Sequence, residues 1–192
     1  MKKIKILYLH GLGGSVGRST VANALRDFDC DVHEAELGFF SSVEEFEANI
    51  RLAQSMADDI KPDVVVGNSM GGFLALNVKG YMTLLINPCM RPSTRPAYKG
   101  TDCVDGLVAM EELYFSAVDA ERRSQVFGVF GAADEVLSFY DLFNDIFLIS
   151  HSAHVTGLGH QLSAKDTEDF VLPMLSRVLR TRDNVSAFEA NL

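Results

Sequence analysis

The stretch VVVGNSMGG, residues 64–72, decides the fold class predicted for this chain. Its valines form a short apolar run of the kind that builds a buried strand, and a helical pattern from Ser69 to Lys79 follows. Between the strand and the helix, Gly67 to Gly71 match the pattern G-x-S-x-G. The pattern alone is weak evidence. In this context, however, it predicts a sharp turn that lifts the Ser69 hydroxyl above the carboxyl edge of a parallel sheet.

Ser69 is therefore the candidate nucleophile. Glycine is expected two residues before and two residues after it, because side chains there would collide with the neighbouring strand and helix. The turn would also place the positive end of a helix beside any negative charge that forms at the serine. The alternative is a purely structural turn in which the Ser69 side chain caps the helix.

A serine hydroxyl needs a base to take its proton and a carboxylate to orient that base. In hydrolases with this turn, the carboxylate and then the histidine follow the serine along the chain. The strand VFGVFG, residues 126–131, ends shortly before Asp134, at the sheet edge where open α/β folds build their sites. Asp134 is the predicted acid. Three nearby carboxylates are weaker alternatives that are predicted to be solvated, namely Glu135, Asp141 and Asp145.

Three histidines follow Ser69, and His160 is the predicted base. It lies in TGLGH, residues 156–160, between a predicted last strand and a helix, so its ring can turn back over the sheet edge towards Ser69. His151 and His154 lie before or within that strand and are predicted to be structural. Their HxxH spacing lacks a third ligand or a glutamate partner, so no metal site is predicted.

The loop after the first strand, HGLGGSVGRST at residues 10–20, nearly fits two phosphate-binding motifs and fits neither. A Walker-type loop would need glycine in place of Leu12 and lysine in place of Arg18. A dinucleotide fingerprint would need glycine in place of Val16. The glycines of this loop therefore need a role other than phosphate binding, and a position beside the predicted nucleophile suggests one.

The N–H groups of Leu12 and Met70 are predicted to form an oxyanion hole, because both would lie at the same sheet edge as Ser69. His10 and Gly11 are assigned to the substrate-binding loop, with His10 expected to brace its backbone rather than act as a base. A glycine turn with a purely structural role is the alternative.

Composition restricts the class of protein. The chain has 192 residues, 47% of them hydrophobic, which is enough for one well-buried core and predicts a single domain over residues 1–192. The net charge of −9 and the lack of Lys/Arg clusters oppose nucleic acid and anionic membrane surfaces as partners. No signal peptide or membrane span is predicted. Three scattered cysteines, which cannot all pair within the chain, favour the cytoplasm.

Apolar β-rich runs alternate with helical patterns, which predicts an α/β fold with a mostly parallel sheet and helices on both faces, in three layers. Strands are predicted at residues 4–9, 64–66, 83–86, 126–130 and 153–156. Helices are predicted from Ser42, with Glu45 completing a capping box, at residues 69–79, within 139–149 and at 165–179. Residues 93–124 interrupt this order and are predicted to be a short lid above the sheet, with a helix near 110–118.

These blocks resemble the α/β-hydrolase superfamily and, within it, the small UPF0227, or YqiA-like, esterases. The blocks that carry the resemblance are LYLHG at 7–11, GNSMGG at 67–72, INPCMRP at 86–92, GAADEVLSFY at 131–140 and GLGH at 157–160. The resemblance implies a compact hydrolase with a short lid, a catalytic triad of Ser69, Asp134 and His160, and activity on short-chain carboxylic esters. Arg91, in INPCMRP, is predicted to bind a substrate carboxylate or to brace the lid.

The predicted function is therefore hydrolysis of a small-molecule ester through an acyl-enzyme, without a cofactor. Two alternatives stay open: a thioesterase or peptidase of the same fold, and a non-catalytic binding module that kept the fold. Five aromatic residues are candidates for an apolar acyl pocket, although core packing would explain them equally well. They are Phe39, Phe40, Tyr98, Tyr114 and Phe115.

Overall fold

Strands and helices alternate along the chain in a computed structural model that describes residues 3–189. The strands are β1 (Lys5–Leu9), β2 (Asp31–Glu34), β3 (Val64–Asn68), β4 (Thr83–Ile86), β5 (Val126–Gly131) and β6 (Ser152–Val155). The α-helices are α1 (Thr20–Asp27), α2 (Val43–Ile60), α3 (Met70–Asn77), α4 (Val104–Ser116), α5 (Ala120–Gln125), α6 (Tyr140–Ile146), α7 (Ala164–Asp166) and α8 (Leu172–Glu189). A π-helical turn, Thr167–Val171, joins α7 to α8.

The strands form one sheet in the order β2-β1-β3-β4-β5-β6, and every neighbouring pair is parallel. This confirms the predicted α/β fold class. The direction of chain progression across the sheet reverses between β1 and β3. In open parallel sheets, the loops at such a reversal diverge and leave a crevice at the carboxyl ends of the strands. The loops that contain His10 and Ser69 flank that crevice.

Helices cover both faces of the sheet because successive strand side chains point to opposite sides. Leu7 and Leu9 belong to a buried cluster that includes residues of α2, α3, α4 and α6. Ile6 and Tyr8 belong to a second cluster, which includes residues of α1 and α8. No helix within residues 3–189 is long and apolar enough to cross a membrane.

The turn from β3 into α3 packs directly against the end of β1. A side chain at Gly71 would place its Cβ 2.1 Å from the carbonyl oxygen of Leu9 and 2.6 Å from that of His10. A Cβ at Gly67 would lie 2.5 Å from the carbonyl oxygen of Gly71. Glycine is required at both positions because backbone atoms occupy the space that a side chain would need.

The segment from residue 93 to 124 packs on the α2 side of the sheet. Tyr98 is buried with its ring 5.7 Å from that of Phe46, and its hydroxyl donates to the Phe40 carbonyl at 2.8 Å. Leu107, on α4, is fully buried in the same cluster. Most of the predicted helix near 110–118 falls within α4. The segment is thus part of the core layer, and its role as a lid stays a prediction.

Several elements differ from those predicted. The sequence analysis missed β2, α1 and α5, and α8 continues past the predicted end at residue 179 to Glu189. The strand β2 reads DVHE and lies at the sheet edge, so it lacks the apolar run that marks the buried strands. The predicted domain includes residues 1, 2 and 190–192, which lie outside the described residues.

Gly71→Ala tests the contact between the turn and β1. The new Cβ would collide with main-chain oxygens that cannot rotate away, so we expect the free energy of unfolding to fall by about 2 kcal/mol or more. Gly38→Ala is the matched control, because a Cβ there meets only the Asn49 side-chain oxygen at 3.5 Å. Equal urea midpoints for the two variants would contradict the proposed packing.

Candidate active site

The backbone at Ser69 is strained and is held from both sides. Its φ and ψ angles are 53° and −122°, values that a residue with a side chain rarely adopts. The Ser69 N–H donates to the Ile86 carbonyl at 3.0 Å, and the Ser69 carbonyl accepts from Gly72 and Cys89 at 2.9 and 2.8 Å. The side chain makes no capping hydrogen bond to α3, so the alternative of a serine cap does not describe this turn.

The Ser69 hydroxyl instead faces His160. Its Oγ lies 3.1 Å from Nε2 of His160, and Nδ1 of the same ring lies 2.9 Å from Oδ2 of Asp134. An ionised carboxylate can only accept hydrogen bonds, so Nδ1 donates to Asp134 and Nε2 is left to accept from Ser69. The side chains of His160 and Asp134 are only 8% and 2% exposed, so the hydrogen bond between them is buried.

Asp134 is oriented by the turn that follows it. Its second oxygen, Oδ1, accepts from the backbone N–H groups of Val136 and Leu137, both at 2.8 Å. These bonds leave Oδ2 directed at the imidazole. The three alternative acids have other positions: Asp141 and Asp145 are exposed on α6, and Glu135 lies 3.4 Å from the His160 backbone nitrogen.

Asn87 is a positioning residue that the sequence analysis did not single out. It is 2% exposed and has a positive φ of 41° directly after β4. Its Nδ2 donates to the carbonyls of Gly159 and His160 at 2.9 and 3.2 Å, and its Oδ1 accepts from Gly131 at 2.7 Å. One amide therefore ties the end of β4 to the end of β5 and to the loop that carries His160.

The loop after β1 passes close to the serine. A Cβ at Gly11 would lie 2.9 Å from the Ser69 Cβ, so only glycine permits this approach. His10 is buried and its Nδ1 donates to the Gly11 carbonyl at 2.9 Å, which is the bracing contact expected of it. Among the described residues, the N–H groups of Leu12 and Met70 donate to no acceptor. Both remain candidates for an oxyanion hole.

A cavity of about 300 Å³ opens at Ser69 and His160. The loop after β1 forms most of its wall, together with the residues that follow His160. None of the five aromatic residues proposed for an acyl pocket lines it. Phe40 and Tyr98 are core residues, Phe39 is exposed, and Tyr114 and Phe115 pack against each other on α4. The prediction of an aromatic pocket at this serine is wrong.

Arg91 lies outside the wall of this cavity. Its guanidinium stacks 5.4 Å from the centre of the Phe115 ring, and its Nη1 lies 3.8 Å from Glu111. Burial raises the pKa of the Glu111 carboxyl, while hydrogen bonds from the Ser93 backbone and hydroxyl act in the opposite direction. These contacts favour the bracing role of Arg91 over direct contact with a substrate.

The remaining histidines of the HxxH pair have structural contacts. The His151 ring stacks on Phe127 with centroids 3.8 Å apart, and the His154 ring stacks on Tyr140 at 4.2 Å. Burial lowers the pKa of His151. Within the described part of the chain, no group of three or more His, Cys, Asp or Glu side chains is placed to hold a metal ion.

Comparisons with known proteins identify the fold. Neither a family model nor a curated protein matches the sequence. Solved structures do match. An α/β hydrolase enzyme from a lagoon-sediment metagenome is 16% identical, with 95% of this chain and 93% of that chain covered, at a TM-score of 0.60. The protein has the α/β-hydrolase fold.

Two further structures match over nearly their full lengths. Arabidopsis thaliana SOBER1 is 14% identical, covering 93% of this chain and 100% of that chain, with a TM-score of 0.61. The esterase RhEst1 from Rhodococcus sp. is 12% identical, covering 92% and 90%, with a TM-score of 0.56. At these identities the likeness concerns the fold alone, and the narrower YqiA-like placement stays a prediction.

Asn87→Asp tests the role of the buried amide. The new carboxylate would face two carbonyl oxygens and repel them, so we expect the His160 loop to shift and the NMR signal of its hydrogen-bonded Nδ1 proton to disappear. We expect the free energy of unfolding to fall by about 1–3 kcal/mol.

Asn49→Asp is the matched control, since Asn49 is also a buried amide but holds the loop at residues 38–39. We expect this variant to be destabilised to a similar degree while the Nδ1 proton signal persists. If both variants kept the signal, Asn87 would be structural only.

Cys89 lies close to the nucleophile turn, since its backbone N–H donates to the Ser69 carbonyl at 2.8 Å, but its side chain is buried. Burial raises the pKa of its thiol to about 12, and burial also raises the pKa of Cys30. We therefore expect iodoacetamide at pH 8 to label Cys103, which is half-buried, and to leave the other two unmodified in folded protein. Mass spectrometry before and after unfolding in urea measures this. Rapid labelling of Cys89 in folded protein would contradict the prediction that burial makes its thiol unreactive.

Proposed function

We propose that this protein is a serine hydrolase that cleaves small carboxylic esters through an acyl-enzyme. One observation carries the proposal: Ser69, His160 and Asp134, far apart in the sequence, form a continuous hydrogen-bonded chain of 3.1 and 2.9 Å at the wall of a cavity. A merely structural serine turn would not need a buried imidazole whose second nitrogen is fixed by a carboxylate.

The first step is attack by Ser69 on the ester carbonyl. His160 accepts the hydroxyl proton at Nε2, and the resulting imidazolium is stabilised by Asp134. Two backbone bonds to the far oxygen of Asp134 keep this carboxylate in place as the charge develops. Attack converts the carbonyl oxygen into an oxyanion, for which the N–H groups of Leu12 and Met70 are the proposed donors.

The second step releases the alcohol. His160 returns its proton to the leaving oxygen, the ester C–O bond breaks and the acyl group remains on Ser69. A water molecule then gives its proton to His160 and attacks the acyl-enzyme, which releases the carboxylic acid and restores the serine. All steps use side chains and backbone of this chain, so the proposed reaction needs no cofactor.

The comparisons support the proposal only through the fold. The α/β-hydrolase fold presents a serine at the carboxyl edge of the sheet, as the Ser69 turn does here, and RhEst1 is an esterase. Because a fold hosts many functions, the proposal depends on the geometry around Ser69 rather than on that likeness.

Ser69→Ala tests the nucleophile. We expect wild-type protein to hydrolyse p-nitrophenyl acetate and to be labelled by a fluorophosphonate at Ser69, since both reactions need an activated hydroxyl. In the variant, turnover should fall by about 10³-fold or more and labelling should be lost, while the unfolding midpoint changes little.

Ser42→Ala is the matched control. Ser42 caps α2 through a hydrogen bond from Glu45 and lies outside the cavity, so its loss should reduce stability by about 1 kcal/mol and leave labelling intact. Peptide mapping of the labelled wild-type protein identifies the modified residue. Absence of label from Ser69 would refute the proposed function.

A further inference from the structure

The cavity beside Ser69 has an unusual charge for this protein. The chain as a whole has a net charge of −9, yet within the part of the chain that the structure describes no aspartate or glutamate lines the cavity. Among those described residues, Arg18 is the one permanently charged side chain in the wall, and the other titratable side chains there are Tyr8, His10 and His160. A cavity lined by one cation and no anion favours anionic over cationic ligands.

Arg18 has no competing partner among the described residues. Its side chain makes no hydrogen bond or ion pair there, whereas Arg26 and Arg51 each pair with a glutamate. Glu34, which contacts the loop, uses Oε1 to accept from the Gly17 N–H at 3.0 Å and to pair with Arg26, while its buried Oε2 has no hydrogen-bond partner among the described residues and forms no ion pair with Arg18. The five donors of the Arg18 guanidinium are therefore free for a ligand.

The backbone that carries Arg18 is fixed. The Arg18 N–H donates to the Ser15 carbonyl at 3.2 Å, and the Gly17 carbonyl accepts from the Asn23 side chain at 3.2 Å. The same loop begins at Gly11 and Leu12, next to the serine. Ser69 and Arg18 therefore line the same cavity of about 300 Å³.

We propose that this cavity selects esters that carry an anionic group, with Arg18 binding that group. The inference rests on the proposed function. A guanidinium recognises carboxylate and phosphate through paired hydrogen bonds, so the substrate class is a small acidic ester such as the monoester of a short dicarboxylic acid. The glycine-rich loop thus recognises an anion through a side chain, although its sequence fits no phosphate-binding motif.

Kinetics with a charged and a neutral substrate test the selection. The pair is mono(4-nitrophenyl) glutarate, which has a free carboxylate, and its methyl ester, each corrected for hydrolysis without enzyme. We expect Arg18→Gln to lower kcat/KM for the charged ester by about tenfold and to leave the neutral ester within about twofold. Arg18→Lys should restore part of the loss, and 1 M NaCl should reduce the wild-type preference.

Arg51→Gln is the matched control because it removes the same charge from an exposed site on α2, outside the cavity. We expect it to retain the wild-type preference for the charged ester. If Arg18→Gln retained that preference, or if Arg51→Gln lost it equally, the proposed anion site would be wrong. Hydrolysis of the neutral ester by the same samples would show that the proposed function still stands.

A binding measurement separates the two proposals further. Calorimetric titration of Ser69→Ala protein with monomethyl glutarate and with dimethyl glutarate reports recognition without turnover. We expect the monoester to bind more tightly than the diester, and we expect this difference to disappear in the double variant with Arg18→Gln. Equal binding of both compounds to the Ser69→Ala protein would overturn the anion site, whatever the fate of the esterase proposal.

A second pair of substrates tests which side of the ester bond faces Arg18. 4-Acetoxybenzoate and methyl 4-acetoxybenzoate place the charge on the alcohol side of the ester, whereas the glutarate pair places it on the acyl side. An Arg18-dependent preference in the glutarate pair supports the proposal, and the second pair then shows whether an anion on the alcohol side is recognised as well. A preference confined to the 4-acetoxybenzoate pair would contradict the substrate class proposed above, and so would the lack of an Arg18-dependent preference in both pairs.

Discussion

The contact between Gly71 and the end of β1 is the constraint on which the rest of the site depends. A Cβ at Gly71 would lie 2.1 Å from the Leu9 carbonyl oxygen, so even a methyl group there would force the β3–α3 turn away from β1. The contact brings the serine loop against the loop that begins at His10. Because β1 and β3 are neighbours at the point where strand order reverses, this close packing narrows the crevice there into a cavity with Ser69 in its wall.

Asp134 and His160, the proposed acid and base, are positioned from the other side of Ser69. β4 lies between β3 and β5, and the residue after it, Asn87, bonds to both the start of the Asp134 turn and the His160 loop. The strained angles of Ser69 persist because β4 also accepts its N–H through the Ile86 carbonyl. The central strand therefore fixes the relative positions of groups that come from three separate loops.

The sequence was sufficient to predict the main architecture and the residues that meet at the sheet edge. Valine-rich runs and the G-x-S-x-G spacing reflect local requirements for burial and for a tight turn, and such requirements leave a signal in one short segment. Chain order limited the candidates for acid and base to residues after Ser69, and position just beyond a predicted strand favoured Asp134 and His160 among them. Each of these positions follows a strand, so the fold class itself predicts that they share an edge.

The other features of the fold and the site could not be predicted because they depend on contacts between segments that are distant in the sequence. Asn87 lies in INPCMRP, one of the blocks that carry the family resemblance, but its hydrogen-bond partners lie more than 40 residues away, so no role could be assigned to it from the sequence. The aromatic residues proposed for an acyl pocket were also placed by contacts between distant segments. Phe40 and Tyr98 became core residues because the segment around Tyr98 packs against α2, which no local pattern indicated. The short polar strand β2 was missed because its pairing with β1, rather than its composition, makes it a strand.

Two kinds of residue have different roles at this site: some fix the path of the backbone, and one contributes charge. Glycines and buried amides determine where the chain can lie, and substituting them changes the fold before it changes any chemistry. Arg18, in contrast, is exposed and belongs to neither buried cluster of the described residues, so we expect a change of its charge to have little effect on the backbone. In the proposed site these two demands fall on different residues: backbone contacts hold the candidate nucleophile Ser69 in place, while the proposed choice of substrate depends on the side chain of Arg18 alone.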